Sequence, residues 1–384
     1  MFYDLQPEEQ KQQYKQMLGI IGKLTRLFSD NACPYLPYRV QENVFCKYFK
    51  ADNLSRSDCS ADAKKGRIGV GLKTWMGNND QKVAEFDSLR KKLSPLTGLD
   101  LAKKVSEFRN ERIRITKNLH GIDELIYHIV KRIPNTMQIL EHVFESIDIE
   151  NITLLPERGN ANNTYFTDGK HVYHFSMSKN TLYMIFDDMI LLDSFTVDIL
   201  DDPYTYLMGL ADNIPQGITT TQVEFDTTNK ACLRLYSTKP NGTKFVAQKS
   251  GLNQWNAGGR KRDMNEIYIP FPAEDRERYA GFFPNRDQPF ELLLPDGTLI
   301  SAKVCQQDNK AIMSNPNKVL GEWLLRKVFE LPEKTLLTYE MLEVFGIDCV
   351  VFTKLGDLRY SVDFAELGTY EKFTKNETAD EEQQ

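Results

Sequence analysis

Two residues near the start of the chain, Asp62 and Lys73, have the types and the spacing needed to act together on a phosphate. Between them, Gly66–Arg67 is typical of a two-residue hairpin turn with glycine first. In that register Asp62 faces Gly71, and Lys73 is the diagonal neighbour of Asp62, about 7–8 Å away at the backbone. Because a shift of one residue would place the two side chains on opposite faces, this hypothesis depends on the register.

A carboxylate beside a lysine at a strand end suits metal-assisted hydrolysis of a phosphodiester. Asp62 would hold Mg²⁺, with water completing the octahedron. The metal would polarise the phosphoryl oxygen and lower the pKa of a bound water. Lys73 would orient that water or stabilise charge in the transition state. The simpler interpretation is a solvated turn aspartate and an ordinary strand lysine.

Two loops in the C-terminal half carry a second set of polar side chains. The first loop, at about residues 250–262, combines amides, a tryptophan and consecutive cations: Asn253, Gln254, Trp255, Asn256, Arg260, Lys261 and Arg262. The second loop, at about residues 314–318, contains Ser314, Asn315, Asn317 and Lys318. Amides can read base edges, whereas arginine and lysine read guanine or bind phosphate. The pattern predicts contacts with duplex DNA, and a solvated turn-rich loop is the alternative.

Trp255 has two interpretations of equal weight. It would stack on DNA, or it would pack beneath the first loop. Trp323, in the apolar string LGEWLL, is expected in the core. The turn at Pro295–Gly297 is expected to have no chemical role.

Length and charge narrow the class of protein. The chain has 384 residues and a formal net charge of −6, enough length for two domains. An acidic chain is not expected to coat DNA without regard to sequence. The net charge is nevertheless compatible with a protein that reads a specific sequence through a locally basic cleft. No apolar run approaches the length of a membrane span, and the six cysteines form no C-x-x-C pair. We expect reduced thiols and a cytoplasmic protein with no membrane partner.

Periodicity predicts the elements that position these residues. Helices are expected at residues 8–30, 40–49 and 79–93, and residues 100–147, with His128 and His142, are expected to be largely helical with a break at Pro134. Residues 58–75 are expected to form a hairpin. Strands are expected at residues 151–200, with Asp168–Gly169 as a turn.

A seam is predicted near residues 212–217, where proline and glycine punctuate the chain. Short strands and turns are expected from there to about residue 367, with one short helix around residues 317–329. The expected fold class is α+β. Its predicted parts are a mixed α/β domain with a helical insert at residues 1–215, a compact, mostly β domain at 216–370 and a disordered acidic tail at 371–384.

The first part resembles the PD-(D/E)XK nuclease core over roughly residues 39–93. In that pattern a helix bears a glutamate, one strand ends in aspartate, and the next ends in (D/E)-x-Lys before another helix. Glu42 in QENVF matches the helix position, Asp62 the first metal ligand and Lys73 in GLKTW the motif lysine. Gln81 matches a polar residue that often opens the following helix.

The chain departs from this pattern at Gly71, which stands where the second acidic residue belongs. By the resemblance, a second carboxylate must then come from elsewhere. Asp58, which shares strand parity with Asp62, and Glu42 are the candidates. The metal set suggested by the resemblance is therefore Asp62, Asp58 and Glu42 around Mg²⁺.

The C-terminal part, residues 220–365, resembles the C-terminal portion of NgoFVII-type restriction endonucleases. The resemblance rests on the strings GLNQWNAGGRKRDMNEIYIPFP, FELLLPDG, AKVCQQDNKAIMSNPNK and LGEWLL. It implies a pseudobarrel similar to the plant B3 domain and to the EcoRII effector domain. It also implies that the two loops act as arms that clamp the major groove.

Together these resemblances imply a type II restriction endonuclease that cleaves double-stranded DNA with Mg²⁺. A homodimer is expected because cutting two strands usually needs two catalytic sites, and a cognate DNA methyltransferase is the expected genetic partner. The alternative is a non-catalytic, sequence-specific DNA-binding protein with an N-terminal oligomerisation domain. A third reading is an effector-type enzyme that one DNA copy activates for cleavage of another.

Overall fold

The protein is described by a computed structural model that covers residues 1–54, 59–77, 80–160, 162–211 and 229–374. The chain divides into two compact units. The first unit comprises Met1–Ile113 and Ile122–Thr221, and the second comprises Arg114–Gly121 and Gln222–Gln384. The predicted seam at residues 212–217 and most of the predicted tail lie outside the described residues.

Helices α1 and α2 confirm two predictions, although α1 ends earlier than expected. Each buries an aromatic stripe, with Tyr14 on α1 and Phe45 and Phe49 on α2 fully buried. The helices in chain order up to the second unit are α1 (Glu8–Lys23), α2 (Tyr38–Phe49), α3 (Arg90–Leu93), α4 (Gly98–His120) and α5 (Pro203–Ala211).

Two sheets form the β part of the first unit. The strands are β1 (Asp52–Asn53), β2 (Ala63–Lys65), β3 (Ile68–Met76), β4 (Asp80–Glu85), β5 (Glu124–Ile133), β6 (Thr136–Val143), β7 (Thr153–Leu154), β8 (Asn163–Thr167), β9 (Val172–Ser176), β10 (Thr181–Ile185) and β11 (Ile190–Thr196). One sheet has the order β1-β2-β3-β5-β6-β11, and the other has β4-β10-β9-β8-β7.

The register of the β2–β3 hairpin is the one that the sequence predicts. Lys65 pairs with Ile68, and Gly66 has a φ of 60°, a conformation that favours glycine. Next to this hairpin, β3 runs parallel to β5, and α4 lies in the long connection between them. A parallel pair requires such a crossover.

Two helix predictions hold only in part, since α3 covers the end of the predicted 79–93 helix and α4 covers the first half of the region predicted at 100–147. Residues 80–85 form β4, and most of residues 124–143 form the antiparallel strands β5 and β6, with Pro134 in the turn between them. His128 and His142 therefore lie in strands. For β5 and β6 the cause is burial, since a strand covered on both faces carries a near-continuous apolar run that periodicity does not distinguish from a helix.

The second unit is built around one curved sheet. Its strands are β12 (Lys230–Arg234), β13 (Ser237–Thr238), β14 (Lys244–Phe245), β15 (Ile269–Pro270), β16 (Pro289–Leu293), β17 (Leu299–Cys305), β18 (Ala311–Ser314), β19 (Ile347–Gly356) and β20 (Arg359–Glu366). Seven of them follow the order β12-β19-β20-β16-β17-β18-β15. Because β15 also contacts β12, the sheet is nearly closed into a barrel. The chain is thus mixed α and β with a barrel-like C-terminal part.

Helices are short in the second unit. They are α6 (Ala273–Arg278), α7 (Val319–Gly321) and α8 (Tyr339–Phe345), and α7 continues into a π-helical segment at Glu322–Val328. This continuous segment confirms the predicted helix near residues 317–329. Trp323 lies in it and packs in the core of the unit, as predicted.

All six cysteines fall within the described residues and are free thiols. Cys232, Cys305 and Cys349 are buried. In the described part of the chain, no helix is both long enough and apolar enough to cross a membrane.

Candidate nucleic-acid interface and candidate active site

The two polar loops of the second unit meet at one groove of about 670 Å³. Gln254, Arg260 and Arg262 line it from the first loop, and Ser314, Asn315 and Asn317 line it from the second. Lys303, Cys305, Gln306 and Met313 contribute from β17, β18 and the turn between them. The tertiary structure therefore brings the two loops to one site, which we call the groove.

Several predicted contact residues present polar groups at this surface. Gln254 is half-buried in the lining, and Asn315 and Lys261 are exposed. Asn256 is exposed and donates one amide hydrogen bond to the Gln248 carbonyl at 3.0 Å, which leaves its carbonyl oxygen for another donor. These side chains offer polar groups of the kinds that bind base edges or phosphates.

Asn253 is not a contact residue, contrary to the prediction. It is fully buried, and its Nδ2 donates to the Ala247 and Leu337 carbonyls at 3.1 and 2.9 Å. Its Oδ1 accepts from the Leu337 backbone amide at 2.9 Å. Because the whole amide is used inside the protein, Asn253 supports the first loop from below.

Trp255 also belongs to the interior. It is 7% exposed and packs in the core of the second unit. Of its two interpretations, the structure selects packing beneath the loop.

Arg262 and Ser314 hold their loops together instead of facing outward. The Nη1 of Arg262 donates to the Ala257 and Gly258 carbonyls, both at 2.7 Å. Ser314 is buried; its Oγ donates to the Pro316 carbonyl at 2.8 Å and accepts from the Leu320 amide at 2.9 Å. The predicted contact roles of these two residues are therefore replaced by structural ones.

Ion pairs tie the remaining cations to the same surface. Lys318 pairs with Glu322 at 3.0 Å and Lys303 with Asp287 at 2.9 Å, and all four side chains are at least partly exposed. Exposed pairs of this kind are weak, so a phosphate can compete for the lysines. Lys303 was missed by sequence reasoning because a single strand lysine carries no local signal.

In the first unit, Asp62 lies directly before β2 and Lys73 lies within β3. One oxygen of Asp62, Oδ2, accepts the Leu72 backbone amide at 2.7 Å. The carbonyl of Lys73 accepts from Gln41 Nε2 of α2 at 2.9 Å, which fixes α2 against β3. Glu42, the next residue on α2, is buried.

Asp62 and Lys73 are close enough for the charge of each to affect the pKa of the other. Burial raises the pKa of the Asp62 carboxyl, against the opposing effects of Lys73, the Leu72 amide and Arg39. Burial lowers the pKa of Lys73, against the opposing charges of Asp62 and Glu42. Glu42 in turn accepts from Arg39 at 3.0 Å. The two carboxylates therefore share Lys73 and Arg39 as neighbours.

Tyr127 explains the glycine that interrupts the motif. A Cβ at Gly71 would lie 2.7 Å from the Tyr127 ring, which is buried. The same ring has the Lys73 ammonium 5.8 Å from its centroid. The aromatic side chain from β5 thus occupies the space beside Lys73 that an acidic residue at position 71 would need.

The resemblance implied that Gln81 opens a helix, but the structure places it in a strand. It lies in β4 opposite Met184 of β10. The strand nevertheless passes near the cluster, since the charge of the neighbouring Lys82 contributes to the lowered pKa of Lys73. Asp58 falls outside the described residues.

The helix that follows β3 in the long connection is α4, and it contributes a residue that the sequence did not single out. Arg109 is 2% exposed and donates to the Glu145 carbonyl at 2.8 Å. Its charge also lowers the pKa of Lys73. A buried arginine at this point adds positive potential where a phosphate would bind.

The donor set fits Mg²⁺ to a limited degree. In the described residues no group of three or more histidine, cysteine, aspartate or glutamate side chains is arranged to hold a metal ion. Asp62 and Glu42 are two carboxylates beside Lys73 and Arg39, and Mg²⁺ is commonly held by one or two carboxylates with waters and substrate phosphates. These residues would thus hold Mg²⁺ only together with solvent and the substrate.

Comparison with known proteins bears on the second unit. Residues 217–356 match the family model of the NgoFVII C-terminal B3-like DNA-binding domain. The match contains both loops, the groove and most of the barrel-like sheet. No curated protein matches the chain. The C-terminal part of this protein is thus similar to a B3-like DNA-binding domain found in a restriction-enzyme family.

Proposed function

We propose that this protein is a sequence-specific endonuclease that hydrolyses double-stranded DNA with Mg²⁺. In this proposal the second unit reads a short duplex sequence in the groove, and the first unit cleaves the phosphodiester backbone. Phosphate contacts would position the duplex, and contacts with base edges would select the sequence.

One observation carries the catalytic part of the proposal. Asp62 and Lys73 lie on the β2–β3 hairpin in the register that places them on one face, and each shifts the pKa of the other. The order of elements supports it in part. Helix α2 precedes β1, β2 and β3, and β5 is parallel to β3. Strand β4 and the short helix α3 stand between β3 and α4, where the nuclease pattern has a helix.

The roles of the residues follow from their chemistry. Asp62 and Glu42 would hold the metal, which supplies Lewis-acid activation of the phosphate and of a water when bound. Lys73 would stabilise negative charge on the phosphate in the transition state. Its lowered pKa comes chiefly from burial, and in a site of low polarity its charge acts more strongly on the substrate.

Cleavage of both strands calls for two such sites. We therefore include a homodimer, formed at least during cleavage, in the proposal. A methyltransferase that modifies the same sequence would protect the DNA of the host cell, and it is the genetic partner that the proposal implies.

The test is cleavage of plasmid DNA by the full chain and two variants. Asp62→Asn is expected to reduce cleavage to background with Mg²⁺ present, and Lys73→Met is expected to slow it by about 10²–10³-fold. Binding, measured by band shift without Mg²⁺, is expected to stay unchanged in both. Lys47→Ala, an exposed lysine on α2, is the control and should cleave normally. Normal cleavage by Asp62→Asn would remove the catalytic assignment.

Tyr127 favours a second candidate function. Because its ring fills the space beside Gly71, the first unit holds fewer acidic groups than the nuclease pattern contains. The alternative is a DNA-binding protein without catalysis whose first unit serves in oligomerisation. A sequence-dependent band shift with no fragments under any divalent cation would establish this alternative.

A further inference from the structure

We propose that Glu266 is a positioning residue that locks the two loops of the groove into one arrangement for reading sequence. This inference rests on the proposed binding of DNA in the groove, and it is independent of cleavage. Nothing in the sequence pattern singled out Glu266. Its burial and its partners identify it.

One carboxylate joins both loops. Glu266 is 1% exposed, and its Oε1 accepts from Arg260 Nη2 at 2.5 Å and lies 3.4 Å from Arg262 Nε. Its Oε2 accepts from Asn317 Nδ2 of the second loop at 2.9 Å. The two oxygens are therefore divided between the loops, and this side chain links the loops directly.

Glu266 is itself held by a stiff support. Arg326, on the π-helical segment, donates to the Met264 carbonyl and to Asn265 Oδ1, both at 2.7 Å. A Cβ at Gly321 would lie 1.9 Å from the Asn265 carbonyl oxygen, so the helical segment and the chain before Glu266 are in close contact. Glu266 is thus buried and its neighbours in the chain are anchored, so it offers a fixed acceptor to the side chains of both loops.

The charge of Glu266 argues against a role in attraction. A negative group in the lining of the groove repels the phosphates of DNA, and it draws Arg260, whose side chain is 54% exposed, away from them. A protein that bound DNA without regard to sequence would therefore bind more tightly without Glu266. Its contribution must lie in geometry, because base edges are read only when side chains from both loops are held in register.

The two effects predict opposite changes for two kinds of DNA. Glu266→Ala removes a negative charge and releases Arg260, so binding to arbitrary duplex is expected to become equal or tighter. The same change separates the loops, so preference for the recognised duplex over an arbitrary one is expected to fall by about 10- to 100-fold. Loss of fold would instead weaken both.

The experiment begins with the full-length wild-type protein and a random duplex library without Mg²⁺. The enriched duplex and a scrambled version of it then serve as the two probes at one salt concentration. Asn317→Ala breaks the link to the second loop and keeps the charge of Glu266, so it is expected to lower the preference without the tighter binding of the scrambled duplex that Glu266→Ala allows. Glu277→Ala, an exposed acid on α6 outside the groove lining, should match the wild type.

Each outcome has a defined meaning. A lower preference in both Glu266→Ala and Asn317→Ala supports the inference. The inference is overturned if Glu266→Ala changes the affinity for both duplexes by the same factor and Asn317→Ala leaves the preference unaltered. Glu266 would then act only through its charge or through its contribution to the fold. Failure of the wild-type protein to enrich any sequence overturns the proposed DNA reading itself, a result distinct from the other two.

Discussion

At the scale of single residues, side-chain type indicated the loops but did not assign the roles within them. Asn253 and Asn256 lie in the same six-residue turn, yet one is fully buried and the other is exposed. Both have the amide that suits adenine. Which amide faces solvent depends on the chain segment that packs against the loop, here the backbone at Leu337.

Asn253→Ala is expected to lower the free energy of unfolding of the second unit by about 2–3 kcal/mol, because it leaves buried backbone groups without partners. Chemical denaturation followed by tryptophan fluorescence measures this, since Trp255 and Trp323 both lie in that unit. Asn256→Ala, with an exposed side chain, should change it by less than about 0.5 kcal/mol. Unchanged stability in Asn253→Ala would contradict its assignment as a support.

Gly71→Asp, which restores the acidic position of the nuclease pattern, is expected to impair the protein. The new Cβ would lie 2.7 Å from the Tyr127 ring, and forcing a side chain into a packed interior costs about 1–3 kcal/mol. Denaturation of the variant measures the loss, and plasmid cleavage measures its effect on activity. A variant that is as stable as the wild type and cleaves faster would show that Tyr127 moves aside readily.

At the scale of elements, the segment formed by α7 and the π-helical turns organises the groove. It anchors the chain before Glu266 through Arg326, and it follows the second loop directly. Its other end is tied to the β16–β17 turn, where Asp296 accepts from Trp323 Nε1 and Lys327 Nζ at 2.9 and 2.7 Å. The turn, for which the sequence predicts no chemical role, therefore has a part in the fold.

Gly321→Ala is expected to destabilise the second unit by about 3 kcal/mol. The reason is that the added Cβ meets the Asn265 backbone, which is unable to rotate away as a side chain would. Denaturation of the full chain gives the measurement. Gly258→Ala is the control, because a Cβ there meets nothing within 4 Å. Equal stability in the two variants would argue against a tight contact at Asn265.

The Asp296 link is expected to weaken in acid. Burial raises the pKa of the Asp296 carboxyl, but hydrogen bonds from Lys327, Thr298 and Trp323 outweigh it and hold the pKa at about 2. A lowered carboxyl pKa stabilises the fold above the unfolded value near 3.8, and this stabilisation is lost as the pH falls from there to about 2. It amounts to roughly 2 kcal/mol.

Denaturation of the wild type and of Asp296→Asn as a function of pH tests this linkage. The difference in stability between them is expected to be largest near neutral pH and to shrink between about pH 4 and pH 2. A difference that stays constant over this range would show that the carboxylate charge does not stabilise the turn.

At the scale of the whole molecule, a net charge of −6 coexists with a local set of cations around the groove. Arg260, Lys261, Lys303 and Lys318 belong to this set. The total charge thus argues against a protein that coats DNA without regard to sequence, whereas the local set of cations is compatible with a protein that reads a specific sequence. Binding should depend on these few phosphate contacts and not on a broad basic surface.

We expect the logarithm of the DNA-binding constant to fall with the logarithm of salt concentration with a slope of about −3, one unit for each of the three lysines. Lys261→Ala should make the slope about one unit shallower, because it removes one phosphate contact. Titrations of one labelled duplex at several salt concentrations provide both values. An unaltered slope in Lys261→Ala would show that Lys261 does not contact phosphate.

The sequence by itself determined features that depend on neighbours along the chain. These include α1 and α2, the β2–β3 hairpin with its register, the strands after residue 151 and the two polar loops. Local signals suffice there because turn glycines and apolar periods act within a few residues. It also identified the C-terminal part, and residues 217–356 match the B3-like family.

Only the tertiary structure decided the rest. It placed the two loops at one groove through Glu266, removed Asn253 and Trp255 from the surface, and set Tyr127 against Gly71. It also showed that a region expected to be helical forms β5 and β6. Each of these outcomes depends on contacts between residues far apart in the chain, and burial by such contacts overrides local pattern and side-chain type.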